Sequence, residues 1–192
     1  LAVPPYWLTR NPYAAHNTVV LWSFMLSVVG AYLLVRRLTG SRSAAAVSGV
    51  LFGFCPFVFA RSAHIQLLMT AGLPFSMLAF HRLAARPGVG RGVVLGLVLA
   101  AAGLACGYYG LFAGLMVGVA ILFYAAMDRL WTSRSYWTSI AVAVVIGGLV
   151  AGACFLPYVD VGETHGSVAR TLDEARVYSA DWRAYLASPA RS

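Results

Sequence analysis

Six apolar stretches of roughly 16 to 20 residues follow one another along this chain, and each is about long enough to cross a hydrocarbon core about 30 Å thick at about 1.5 Å rise per residue. They span residues 17–35, 44–60, 65–80, 92–106, 111–127 and 137–156. No soluble domain can cover so much apolar length, so the sequence predicts an all-α polytopic transmembrane helix bundle of about six helices (residues 1–157). A polar extracytoplasmic C-terminal segment (158–192) follows. Composition agrees: 60% of the 192 residues are hydrophobic and only 10% charged, against about 25% charged in a soluble domain.

The connections set the orientation. Arg36, Arg37 and Arg42 lie between spans one and two, Arg82, Arg86 and Arg91 between three and four, and Arg129 and Arg134 between five and six. The alternate turns hold only Arg61. The positive-inside rule makes the arginine-rich side cytoplasmic and turns residues 1–16, Arg61 to His64, Tyr108, Tyr109 and 158–192 outward. The net charge of +8 therefore belongs to loops and not to a basic face on a folded domain, so no nucleic-acid partner is expected. Tyr13, Phe57, Tyr109, Tyr136, Trp137 and Tyr158 read as interfacial aromatics.

Lipid offers no hydrophobic drive for helices to associate, so small residues mark the expected packing seams. These are Ser23, Ser27 and Gly30 on span one, Gly49 and Gly53 on span two, and Gly92 and Gly96 on span four. Gly110, Gly114 and Gly118 follow on span five, with Gly148 and Gly152 on span six. Pro56 and Pro74 are expected to kink spans two and three. Cys55, Cys106 and Cys154 lack disulfide or metal-ligand spacing and read as small apolar residues. In the tail, Thr171 to Glu174 matches a capping box, and Trp182, Tyr185 and Leu186 share one face of a short helix. Leu1 is not Met and the last residues are polar, so the chain reads as a fragment of a longer protein.

No Asp, Glu, Lys, Arg or His falls in the middle of any of the six spans. Ion-coupled transporters hold their coupling ion on such groups, which argues against that class. Polar side chains gather at the outward turns instead. Arg61, His64 and Gln66 share one short turn, where Arg61 offers the paired donors that suit phosphate and His64 a group that titrates near neutral pH. The same two residues also suit headgroup anchors at span ends. Arg10, Asn11, His16 and Asn17 lie on this side, with Asn17 placed either to cap span one or to serve as a ligand. Tyr108 and Tyr109 can stack on a sugar or prenyl chain, or serve as interfacial aromatics. Asp160, Glu163, Asp173, Glu174 and Asp181 are outward carboxylates of a kind that binds a metal or acts as a base, and they read first as a solvated loop.

Several of these residues carry a family resemblance. Asn11-Pro12, Asn17, Arg36-Arg37-Leu-Thr-Gly40, Phe54-Cys-Pro-Phe57, His64-Ile-Gln66 and Leu73-Pro74 occur in an order that resembles the bacterial membrane glycosyltransferases of the GT-C superfamily. Gly107-Tyr-Tyr-Gly110 and Tyr178-Ser-Ala-Asp181 before Tyr185-Leu186 are similar to its YfhO-type relatives. The resemblance implies an enzyme of the bacterial cytoplasmic membrane that moves a sugar from a polyprenyl-phosphate carrier to a cell-envelope acceptor on the extracytoplasmic side. It places the catalytic acid in an outer loop upstream of Leu1, so no catalytic residue is assigned in this chain, and a general base comes from outside it. Arg61 is then expected to hold the donor phosphate, His64 and Gln66 to orient donor or acceptor, and Tyr108 to stack. No cofactor is identified in the chain, although a divalent metal fits the whole enzyme. The rival reading is a non-enzymatic flippase, transporter or assembly factor for cell-envelope lipids.

Overall fold

The computed structural model describes residues 2–61, 64–165 and 172–179. Among them there is no strand, and the architecture is all-α. A short helix α1 (Val3–Thr9) precedes α2 (Pro12–Thr39), α3 (Arg42–Gly53), α4 (Pro56–Ala60), α5 (Ile65–Leu68) and α6 (Gly72–Ala85). The long helices α7 (Val89–Ala105), α8 (Gly107–Met127) and α9 (Arg134–His165) follow, and α10 (Leu172–Tyr178) ends the described chain. The capping residue Thr171 and the face made by Trp182, Tyr185 and Leu186 lie outside the described residues.

Among the described residues five segments are long and apolar enough to cross a membrane: Pro12–Thr39, Arg42–Ala60, Ile65–Ala85, Gly107–Met127 and Arg134–Leu156. α7 is apolar but shorter, at 17 residues. The surface supports the same reading from the opposite direction. On α2 the buried positions are Ala15, Val19, Ser23, Ser27, Gly30 and Ala31, while Leu21, Trp22, Met25 and Val29 are exposed. On α8 the large side chains Leu111, Phe112, Leu115, Val119, Leu122 and Phe123 all point outward. Small residues inside and large apolar residues outside is the arrangement lipid favours, because only close backbone approach gains packing energy there. The chain is a membrane protein.

The chain divides into two compact units, Leu1–Cys154 and Phe155–Ser192. In the second, the described residues include the end of α9 and all of α10, where Arg176 and Asp173 form an exposed pair at 3.4 Å. In the first, α2 packs on α3 and α6, α6 on α7 and α8, and α7 on α8. The core joins Phe80 and Leu83 of α6, Leu95 of α7, Val117 and Ala125 of α8, and Tyr136 and Ile140 of α9.

Several sequence expectations are corrected here. α2 begins at Pro12, and its cap is Asn11, whose side-chain oxygen accepts from the Tyr13 and Ala14 amides at 2.9 and 3.3 Å. Asn17 lies inside the helix and caps nothing, because Pro12 is pre-set for the first helical position and the helix starts there. Pro56 and Pro74 do more than kink their spans. Cys55, before Pro56, is extended at φ −67°, ψ 151°, as the proline ring demands of its predecessor. Pro74 sits in the first turn of α6, after an interruption at Met69 to Ala71.

The glycine seams are real on α2, α3 and α7, reduced to Gly110 on α8, and not found at Gly148 and Gly152 of α9 among the described residues. A side chain at Gly49 would press on the Val28 carbonyl, and one at Gly92 or Gly96 on the α9 backbone at Ser139 or Ala143. Gly110 abuts Gly103 of α7, but Gly114, Gly118, Gly148 and Gly152 face open space among the described residues. The buried face of α8 is Tyr109, Ala113, Val117 and Ala120, one residue out of phase with the glycines. Tyr136 and Tyr109 are also not interfacial: they are 0% and 7% exposed. The Tyr136 hydroxyl donates to the Ile121 carbonyl at 2.9 Å. The side chain of Tyr158 lies outside those described.

Candidate functional site

The interrupted stretch from Cys55 to Ala71 builds the candidate site. Two short helices with breaks on either side leave backbone groups without helical partners, and at membrane depth these must be satisfied inside the protein. Turn bonds meet part of the need: the Arg61 carbonyl accepts from the His64 amide at 2.8 Å, and the Leu68 carbonyl from the Thr70 amide at 2.8 Å. Neighbouring helices add one backbone partner and one side-chain tie. The Tyr109 hydroxyl donates to the Leu67 carbonyl at 2.9 Å, and the buried hydroxyls of Ser27 and Thr70 are hydrogen-bonded to each other at 2.9 Å. α2 and α8 thereby clamp the irregular segment from two sides.

Arg61 closes α4, and its guanidinium carbon lies 5.6 Å from the Phe57 ring centroid. This cation–π contact aligns the side chain at little cost to its charge. His64 precedes α5 and Gln66 lies on it. All three side chains are exposed. The turn brings them into one short segment, and Ser62 and Ala63 between them lie outside the described residues.

Tyr108 is 70% exposed and touches none of these residues through a hydrogen bond. The expected Gly107-Tyr-Tyr-Gly110 turn is a helix start: the connection is Cys106 alone, extended at φ −157°, ψ 117°, and both tyrosines fall in the first turn of α8. Tyr109, the neighbour, is the residue tied to α5, whereas the sequence expectation places the stacking role on Tyr108. Elsewhere on this side, Arg10 ends α1 in a left-handed conformation at φ 53°, and His16 and Asn17 are exposed on α2. Asp173 pairs with Arg176; the side chains of Asp160, Glu163 and Glu174, and all of Asp181, lie outside those described. Among the described residues no three His, Cys, Asp or Glu side chains gather to hold a metal.

An apolar groove of about 730 Å³ adjoins this polar segment. α2 contributes Val19 and Ser23, α5 and the break after it Ile65 and Met69, α6 Phe75, and α7 Leu104. Its volume falls within the about 300–1,000 Å³ of ligand sites. Leu104 is 44% exposed, which leaves one side of the groove open at the bundle surface. Ile65, one residue beyond His64, joins the apolar lining to the polar turn.

The helices run longer than the apolar pattern suggests, and this takes ionisable residues into them, His81 of α6 among them. α6 continues to Ala85, so His81 lies inside it, half-buried, with its Nδ1 3.2 Å from the Tyr124 hydroxyl of α8. The signal in the sequence was Leu83, one helical turn beyond Phe80 and fully buried with it.

No curated protein and no solved structure matches the chain. The model of one family matches residues 8–190. With nearly its whole length covered, the chain belongs to the family described as domain of unknown function DUF6311.

Proposed function

We propose that this chain is the membrane part of a GT-C-like glycosyltransferase of the bacterial cytoplasmic membrane, with its working face opposite the arginine-rich turns. The observation that carries this reading is the groove, an apolar channel for a lipid tail whose lining meets an exposed Arg-x-x-His-x-Gln turn suited to a phosphate headgroup. An amphiphile of the polyprenyl-phosphate kind has those two parts in that order.

In the proposed reaction an acceptor hydroxyl oxygen bonds to the anomeric carbon as the bond from that carbon to the carrier phosphate breaks. The hydroxyl proton goes to a general base from outside this chain, and the polyprenyl phosphate departs with the bonding electrons. Arg61 acts where charge grows, on the leaving phosphate, through its paired donors. His64 and Gln66 orient the headgroup, and Tyr108 offers a face to the sugar. The residues at 158–192 are assigned to the same extracytoplasmic side.

The test is incorporation of labelled sugar from a polyprenyl-phosphate pool in membranes carrying the intact protein, at matched protein level. Arg61→Ala is expected to reduce transfer by about tenfold or more, the loss of one charge-assisted contact. Arg61→Lys restores part of it, because an ammonium keeps the charge but not the fork, and His64→Ala costs less. Undiminished transfer in Arg61→Ala reduces Arg61 to a headgroup anchor and removes the phosphate assignment.

A further inference from the structure

At the opposite, arginine-rich end of the bundle, a recess of about 390 Å³ is lined by Arg37, Arg82, Arg86 and Arg91 together with Ala85. The four arginines come from the ends of three helices. Arg37 lies in the last turn of α2 and Arg82 in the last turn of α6, Arg86 follows α6 directly, and Arg91 lies in the first turn of α7. Only the packing of α2 and α7 on α6 brings them to one place.

A topogenic role requires positive charge on this side of the membrane but no convergence. Arg42 and Arg134 serve that role on the same side and stay out of the recess. All four recess side chains are exposed, and none forms an ion pair among the described residues. Arg91 donates to the Arg86 carbonyl, which fixes the guanidinium beside the recess. Four cations around one small volume repel one another unless an anion joins them. The α7 N-terminus adds the positive end of a helix dipole.

We propose that this recess binds a phosphate group, and that its four guanidiniums clamp the phosphate oxygens through paired donors. Its place at the membrane surface gives two sources for that group: the headgroup of an anionic phospholipid in the adjacent leaflet, or a soluble phosphorylated molecule. The site is independent of the groove at the other end and of any glycosyl transfer there.

The experiment uses the protein purified in neutral detergent, with short-chain phosphatidic acid and inorganic pyrophosphate as separate probes and short-chain phosphatidylcholine as the zwitterionic reference. Bound adducts are counted by native mass spectrometry. The wild type is expected to retain phosphatidic acid, pyrophosphate or both in preference to phosphatidylcholine, and the preferred probe identifies the source. Arg82→Gln/Arg86→Gln is expected to weaken that binding by about tenfold or more, as loss of charge-assisted bonds demands. Arg42→Gln/Arg134→Gln, which removes the same charge from the same side, should leave it within about twofold, as expected of charges outside the contact. Equal loss in both pairs, no loss in the recess pair, or no retention of either phosphate probe by the wild type overturns the proposal. Should the recess pair not elute as a folded protein, Arg37→Gln alone is read by the same criteria.

Discussion

The clearest residue-scale lesson lies in three hydroxyls. Tyr109 gives its proton to a carbonyl that the break after α5 has stripped of its helical partner, and an orphaned carbonyl in an apolar interior costs about 1–3 kcal/mol. Tyr109→Phe is expected to lower unfolding stability in detergent by about 1–2 kcal/mol, while Tyr108→Phe changes nothing measurable. Ser76 is the converse case: its hydroxyl is fully buried in α6 with no hydrogen-bond partner among the described residues. Ser76→Ala should therefore hold or slightly raise the unfolding temperature, whereas Ser27→Ala, which breaks the contact with Thr70, should lower it. Thermal unfolding followed by tryptophan fluorescence separates the four variants. The sequence expectation favours Tyr108 and has no physical ground to set it above Tyr109, because which of two adjacent residues turns inward depends on where α8 begins. That start is set by Cys106, a single extended residue with no sequence signature.

At the scale of elements, the pattern of small residues was legible but its phase was not. Gly49, Gly92 and Gly96 do lie at close crossings, as spacing by four on an apolar helix suggests. On α8 the same spacing misleads beyond Gly110, since Ala113 and Val117 carry the contact and Gly114 faces outward. An alanine serves as well as a glycine where backbones approach less closely, and composition cannot tell the two seams apart. Gly110→Leu is expected to prevent folding, because its Cβ would land on the Gly103 backbone. Gly114→Leu should change stability by no more than about 0.5 kcal/mol, as for any exposed position. Retention of folded protein after detergent extraction reads both. The prolines were legible as sites of irregularity, and the extent was not: a proline in a membrane helix bends it or breaks it according to whether neighbours can satisfy the freed backbone. Here the Tyr109 hydroxyl does so for the Leu67 carbonyl, which no local pattern reveals.

Over the whole molecule, apolar length and the alternation of arginines across the turns prescribed a membrane bundle with two unlike ends, and the small-inside, large-outside surface agrees with it. What no linear pattern contains is convergence. The groove needs α2, α5, α6 and α7 side by side, and the arginine recess needs the ends of three helices together; both depend on packing between residues far apart in sequence. The functional account rests on the groove accepting a prenyl chain with its phosphate at the Arg61 turn. The most direct measurement is photo-crosslinking of the intact protein in membranes with a polyprenyl phosphate carrying a diazirine on its isoprenoid chain, followed by peptide mapping. The account predicts label at Ile65, Met69, Phe75 and Leu104, displaced by unlabelled polyprenyl phosphate and reduced in Arg61→Ala. Label spread over outward residues such as Leu115, Val119 and Phe123, with no competition, would contradict it.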